Sequence, residues 1–223
     1  MNLEPFLTAD GSYTLINKDI NCAYHSIHGA VTEGKLVFIN YGLNYAFEKF
    51  GSSINLLEVG FGAGLHTYLT LLETVQNKKN VFCTSIEINP VLLSICEQLK
   101  YEDLTKDTKL KHNYKDLINA EWNTTTEINN YFTIQKSLTN IYQFEYNYPY
   151  HVVYYSGFSH TATPEMWEKE LFEKMFKHLP IGACVVTHCS KGAYIRMLKE
   201  IGFKVEKLKG PPRKNEVTRA VKI

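Results

Sequence analysis

The stretch Glu58-Val59-Gly60-Phe61-Gly62-Ala63-Gly64 constrains the fold of this chain more than any other. The apolar run Ile54–Val59 before it reads as a buried strand, and Leu65–Val75 after it reads as a helix. Glycine lets a backbone turn tightly between such elements and brings N–H groups close to a ligand at the positive end of a helix. The next strand, Val81–Ile88, ends around an acid, Glu87. A carboxylate at that place can accept hydrogen bonds from both hydroxyls of a ribose. The spacing is GxGxG, not the GxGxxG of dinucleotide binders. Strand, helix and acid in register point to a nucleoside-containing cofactor at the strand ends. Its expected contacts are Glu58, Gly60, Gly62, Gly64 and Glu87. The alternative is a tight turn in an α/β fold with an unrelated ligand, or none.

The same alternation continues along the chain. Pro90 suits the first turn of a helix over Val91–Lys100. Tyr131–Lys136 alternates like a strand, and His151–Tyr155 is a short continuous apolar run of the central parallel kind. Pro164 opens a helix to about His178, Ala183–His188 is another buried strand, and Gly192–Ile201 is a helix capped by Gly202. Phe203–Leu208 and Glu216–Val221 read as a hairpin around a Gly-Pro-Pro turn. The expected fold is a doubly wound, Rossmann-like α/β sheet with an antiparallel C-terminal edge hairpin. Residues 1–50 carry turn signals between short β-type runs, Tyr13–Ile16 and Leu36–Ile39, followed by a helix over Leu43–Phe50. They read as a β-rich N-terminal extension packed on a main domain of residues 51–223. Residues 101–148, rich in Asn, Thr, Lys and Tyr, fit the alternation least and are expected as an insertion over the sheet edge.

Composition bears on partners. The 223 residues are 44% hydrophobic and 21% charged, as expected of one elaborated globular domain. A net charge of +1 excludes nucleic-acid binding by bulk positive charge. The balance is uneven, however. Residues 189–223 hold ten basic side chains against three acids, a net +7, so the remainder carries −6. No apolar run approaches the ~20 residues of a membrane span. The opening MNLEPFLTAD lacks the basic run and apolar core of a secretory leader, so a cytoplasmic location and no membrane partner are expected. The five cysteines show no CxxC spacing and read as reduced thiols, and His25 and His28 have no third ligand nearby, so no metal is expected.

The glycine spacing with its strand-end acid resembles class I S-adenosylmethionine methyltransferases. Further stretches narrow the likeness. Thr8-Ala9-Asp10-Gly11-Ser12-Tyr13-Thr14-Leu15, then Tyr24-His25-Ser26, Gly29-Ala30 and Glu33, resemble the N-terminal signature of the MnmC/MnmD-type tRNA wobble-uridine methyltransferases. Glu58 to Leu65 resembles that family's cofactor loop, and Phe158 through Pro164-Glu165-Met166-Trp167 its segment after the central strand. Thr187-His188-Cys189-Ser190-Lys191-Gly192, Gly202-Phe203 and Gly210-Pro211-Pro212-Arg213-Lys214-Asn215-Glu216 resemble its C-terminal blocks. The resemblance implies methyl transfer from S-adenosylmethionine to the aminomethyl group of a modified wobble uridine, 5-aminomethyl-2-thiouridine becoming 5-methylaminomethyl-2-thiouridine. The implied partner is a tRNA anticodon loop. The flavin-dependent (FAD) oxidase domain fused in some members has no room in 223 residues, so a separate oxidase on the same pathway is expected.

The chain departs from the family at informative places. The family's Asp after the central strand is Ser156, its proline two residues past Phe158 is His160, and the Tyr of its T-Y block is His188. Serine accepts a hydrogen bond but brings no negative charge to the cofactor's amino group. Ser156, His160 and Tyr24 are therefore the candidates at the reacting groups, His160 or another side chain compensating for the lost carboxylate. The other reading is a methyltransferase-fold protein with a degenerate site, acting as a binding module or on a small amine. Asp10, Ser12, His25 and Glu33 come from the N-terminal signature as substrate contacts, against plain turn chemistry for Asp10-Gly11-Ser12. Trp167 is a candidate to stack on a base, against a place in the core. Lys191, Arg213 and Lys214, with Arg196 and Lys209, are the expected phosphate contacts.

Overall fold

A computed structural model of the chain describes residues 1–158 and 162–223. Its first strands, β1 (Leu3–Leu7), β2 (Tyr13–Asn17) and β3 (Cys22–Ala23), form a small antiparallel sheet. A continuous helical stretch follows: α1 (Ala30–Glu33), a segment wound with π-type hydrogen bonds over Gly34–Asn44, and α2 (Tyr45–Phe50). Leu36–Ile39, expected as a strand, lies inside the π-type segment. Four consecutive apolar residues suit either a strand or a buried helix, and packing decides. Here Gly42 lets the segment settle on the main sheet, since a Cβ at Gly42 would come within 2.8 Å of Val186 Cγ2 and 3.2 Å of the Tyr154 ring. The expected helix end before Gly51 agrees with α2.

The main sheet begins with β4 (Ser53–Val59), turns through the glycines into α3 (Leu65–Asn77), and returns in β5 (Asn80–Glu87). The helix expected over Val91–Lys100 is only α4 (Leu93–Cys96) with a 3₁₀ turn over Glu97–Leu99, stopped by Lys100 in a left-handed conformation. Then come α5 (Thr108–Asn119), β6 (Thr124–Asn129), β7 (Phe132–Leu138) and β8 (Val152–Tyr155). Asp107 caps α5 by accepting the N–H groups of Lys109 (2.8 Å) and Leu110 (3.3 Å). Residues 101–148 thus contribute one helix and two strands to the sheet layer. A 3₁₀ turn at Pro164–Trp167 precedes α6 (Lys169–His178), so the helix expected from Pro164 is broken at Glu168. The chain ends with β9 (Cys184–Thr187), α7 (Gly192–Ile201), β10 (Phe203–Lys209) and β11 (Glu216–Lys222).

The eight strands run in the order β10-β11-β9-β8-β4-β5-β7-β6. β9, β8, β4, β5 and β7 are parallel; β6 pairs antiparallel on one edge, and β11 with β10 on the other. This is the mixed α/β sheet with an antiparallel edge hairpin that the patterning implies. Alternate side chains sort into two cores, as the two-residue period of a strand demands. Leu56, Val152, Tyr154 and Val186 face the π-type segment, α3 and α5; Leu57, Val153, Tyr155 and Val185 face α6 and α7. Both faces being covered, β8 and β9 are buried throughout. The C-terminal ends of β4, β5, β7 and β8 meet where the strand order reverses, the place where open α/β sheets bind ligands.

Candidate functional site

A cleft of about 280 Å³ opens at those strand ends. Its floor is the glycine turn. Gly60, Gly62 and Gly64 all have positive φ, +92°, +55° and +78°, which side chains with a Cβ rarely adopt. A Cβ on Gly62 would sit 3.1 Å from the Tyr24 ring, and one on Gly60 3.4 Å from the Ser156 carbonyl oxygen. The turn therefore leaves a backbone-lined trough that only glycine permits. Gly64 is the N-cap of α3, so the helix presents its free N–H end beside this trough.

Glu87 forms one wall. Its Oε2 accepts the Gly62 N–H at 3.0 Å, and its Oε1 accepts the Ile88 and Asn89 N–H groups at 2.8 and 2.9 Å. Three backbone donors fix the carboxylate at the cleft and take three of its four lone-pair sites, leaving one on Oε2 for a hydroxyl. Ser156 faces it across the glycine turn, its N–H donated to the Val59 carbonyl at 3.2 Å. Asn89, Thr139, Asn140 and Tyr142 extend the cleft along the ends of β5 and β7, and the exposed Glu165, whose carbonyl accepts the Tyr142 hydroxyl at 2.8 Å, completes its lining. Sequence reading missed these residues. The strand-end rule could have found Thr139 and Asn140, which directly follow β7.

Glu58 is not on the cleft wall. It is 1% exposed, beneath the glycine turn, where Oε2 accepts the Thr67 and Ser85 hydroxyls and Oε1 has no partner among the described residues. Burial outweighs the two hydroxyl donors and pushes its carboxyl up to about 7. Its place corrects the expectation of direct cofactor contact. The reason is geometric: at this point of β4 the side chain turns toward α3, away from the strand ends.

The N-terminal sheet supplies the opposite wall. Tyr24 and His25 both line the cleft, and the Tyr24 ring meets Phe158 edge-on at 5.0 Å. Burial and the neighbouring Glu87 raise the Tyr24 phenol, so it keeps its proton and acts as a donor. His25 Nδ1 lies 3.0 Å from Thr14 Oγ1. Behind it stands His66, 4% exposed, its ring 4.9 Å from His25 and 4.0 Å from Phe38. Burial pushes His25 and His188 down to about 4, and His66 well below its usual value, each further lowered by a neighbouring cation or imidazole. Uncharged imidazoles thus stand beside the cleft at neutral pH. Glu33 is buried, its Oε2 accepting the Ser26 N–H at 2.9 Å; burial raises its carboxyl, and nearby Lys214 opposes this.

Other expected contacts are placed elsewhere. Asp10 accepts hydrogen bonds from Ser12, Thr8 and Thr32, tying the first turn to α1. Burial raises its carboxyl, but those donors win and hold it far below the usual carboxylate range. Ser12 in turn accepts the Val31 N–H at 3.2 Å. Both act as turn and helix fasteners, not as cleft residues. Trp167 is 4% exposed, packed on Tyr155 and Tyr194, with its Nε1–H donated to the Phe158 carbonyl at 2.9 Å. Its faces are taken by protein, so it offers no surface to a base. His160 lies outside the described residues. Lys191 and Arg213 are exposed and Lys214 half-exposed, and none forms an ion pair among the described residues. Lys214 is close enough to His188, Glu33 and Cys189 to shift their titration, and Lys191 acts likewise on Cys189. The two cations therefore flank the His188–Cys189 end of β9.

Comparison with known proteins agrees with this geometry. Residues 105–223, more than half of the chain, match the profile of a family described as S-adenosyl-L-methionine-dependent methyltransferase. A 64-residue stretch is 39% identical to the tRNA 5-methylaminomethyl-2-thiouridine biosynthesis bifunctional protein MnmC of Pseudoalteromonas atlantica, covering 29% of this chain and 9% of that protein. A 67-residue stretch is 39% identical to the protein of the same name from Campylobacter fetus, covering 30% and 11%. The matched stretch thus spans about a tenth of these relatives' length. The crystal structure of MnmC2 from Aquifex aeolicus superposes over 99% of this chain and 70% of its own, with a TM-score of 0.76 and 25% identity.

Proposed function

This chain belongs to the S-adenosyl-L-methionine-dependent methyltransferase family, and from that premise we propose that it methylates the aminomethyl group of a modified wobble uridine in tRNA. The observation that carries this reading is the meeting of two walls: Tyr24 and His25 close the same cleft whose floor is Gly60–Gly62 and whose far wall is Glu87. Two residues of the stretch that resembles the tRNA-enzyme signature thereby face the trough, which supports the reading.

The residues present fit the cofactor. The trough at Gly60 and Gly62 admits a ligand against bare backbone, and Glu87 Oε2 has one lone-pair site left to accept a ribose hydroxyl. When bound, S-adenosylmethionine supplies a methyl group already activated on sulfur, so the protein's task is positioning. An alkyl amine is mostly protonated at neutral pH, by comparison with lysine at about 10.4, and must lose that proton to act as nucleophile. The uncharged imidazoles of His25 and His188 add no positive charge that would compete there. Glu33, its carboxyl raised by burial, is the proposed proton holder, supported by its sharing the neighbour Lys214 with His188. Tyr24 remains a hydrogen-bond donor at the cleft.

The proposed partner is an anticodon loop, whose single-stranded wobble base can be splayed into a pocket. Lys191, Arg213 and Lys214 are the proposed phosphate contacts. The proposed location is the cytoplasm, and an FAD-dependent oxidase activity is proposed on the same pathway. Ser156 supports a second reading, a member acting on a small amine or binding without catalysis, because the cofactor's amino group loses an ionic partner there. Nucleoside analysis by mass spectrometry separates the two. After incubation with cofactor and tRNA carrying 5-aminomethyl-2-thiouridine, the first reading expects 5-methylaminomethyl-2-thiouridine. Cofactor binding with an unchanged nucleoside would leave only the second.

A further inference from the structure

Phe61 sits between Gly60 and Gly62 and forms the partition between the cleft and a second cavity behind it, of about 310 Å³. Its ring points away from the trough. It meets Trp122 edge-on at 5.8 Å, and its far edge is 3.0 Å from where a Cβ on Gly64 would lie. The second cavity leaves room for this ring to fall backward, taking the glycine turn with it. One charged group opposes that movement. Lys136, on β7, is 2% exposed, and its Nζ lies 5.0 Å from the Phe61 ring centre and 4.6 Å from that of Trp122. Nζ donates to the Ile118 carbonyl at 3.0 Å and the Leu117 carbonyl at 3.5 Å, at the C-terminal end of α5. Capping the last α5 carbonyls is one role of this lysine, yet it sets a charge between two aromatic rings, at a burial cost that an uncharged donor to those carbonyls would avoid.

We propose that Lys136 is a positioning residue for the cofactor: its ammonium, anchored on the α5 carbonyls, holds the Phe61 ring and so keeps the Gly60–Gly62 trough in its binding geometry.

Burial pushes the Lys136 ammonium down to about 8, with Cys96 opposing weakly. The other titratable groups facing it are few. Cys96 comes from α4, its thiol pushed up to about 11 by burial, and Glu121, which follows α5, lines the same cavity. Leu117 and Ile118 from α5 present only carbonyls. The ammonium therefore loses its charge, and the ring its cation, as pH rises through about 8. Cofactor binding should weaken over that interval.

The test is calorimetric, with 5′-methylthioadenosine as probe. This molecule carries the adenosine and sulfur but lacks the methionyl α-amino group, so no amine of the ligand titrates in the interval. Affinity is measured between pH 7 and 9.5 for the natural chain, Lys136→Arg and Phe61→Leu, with circular dichroism confirming that each is folded. The natural chain is expected to weaken about tenfold across the interval, the order of a desolvated cation–π contact. Lys136→Arg, charged throughout, should bind with no such pH dependence. Phe61→Leu, lacking the ring, should bind weakly and equally at all pH values, and it keeps the question open to answer if the arginine variant does not fold. A flat profile in the natural chain, or the same inflection persisting in Phe61→Leu, would overturn the proposal.

Discussion

Ser156 and Glu58 show how far a residue's type can be separated from its role. Ser156 stands at the cleft where a carboxylate would face a cationic amino group. If the site has only lost that charge, Ser156→Asp should tighten S-adenosylmethionine binding roughly tenfold, the order of one charge-assisted hydrogen bond. Titration calorimetry reads this, and unchanged affinity would mean that another group, such as Glu165 on the rim, has taken over the contact. Glu58 makes the opposite point. Its folded carboxyl is raised from 4.5 to about 7, so the folded chain binds a proton that the unfolded chain releases. The stability it supports is full below about 4.5 and is lost as pH rises through about 7. Urea unfolding of the natural chain should therefore show a fall of roughly 1–3 kcal/mol between pH 5 and 9, and Glu58→Gln should remove most of that fall. The glycines and Glu87 were legible in the sequence because spacing along one strand–turn–helix fixes them. The direction of the Glu58 side chain was not, because it depends on Thr67 from α3 and Ser85 from β5.

At the scale of elements, local pattern and packing agree along most of the chain and part company in the helical stretch after Gly29. The strands β4, β5, β8 and β9 and the helices α3 and α7 were legible because each carries one consistent periodicity between clear stops. The π-type segment was not. Its apolar run suits a strand, and only the surface of β8 and β9 beneath it, reached through Gly42, makes it helical. Gly42→Ala should accordingly destabilise the fold by about 1–3 kcal/mol, the usual cost of overpacking. Chemical denaturation would show this as a lower midpoint, and an unchanged midpoint would mean that the segment can shift off the sheet freely. β7 was foreshadowed by the alternation over Tyr131–Lys136, but β6 was hidden for another reason. β6, Thr-Thr-Thr-Glu-Ile-Asn, is a polar edge strand, and edges are kept polar to discourage pairing with other chains.

At the scale of the whole molecule, the near-zero net charge is a sum of two unlike parts. The excess of positive charge lies in the last 35 residues, and much of it is spoken for. Lys204, Lys207 and Arg219 pair with Glu206 or Glu216, and Arg219 also lies over the Tyr45 ring. Lys191, Arg213 and Lys214 have no such pairing among the described residues. A narrow basic rim at the end of β9 suits contact with a few phosphates near one pocket. Replacing these three residues by alanine should flatten the salt dependence of tRNA binding, the log–log slope falling by about 2 if each neutralises one phosphate of a single strand. An unchanged slope would place the RNA on another face. Composition alone pointed to the asymmetry; which cations remain free depended on the hairpin register that sets β10 against β11.

The central claim is that the cofactor lies in the trough between Gly60–Gly62 and Glu87. Calorimetry with S-adenosylmethionine on the natural chain and on Glu87→Ala tests it most directly. The account expects clear binding by the natural chain and an affinity about thirtyfold weaker in the variant, for the loss of a hydrogen bond to a charged acceptor. Equal affinity in the two proteins, or no binding by the natural chain at millimolar cofactor, would contradict it.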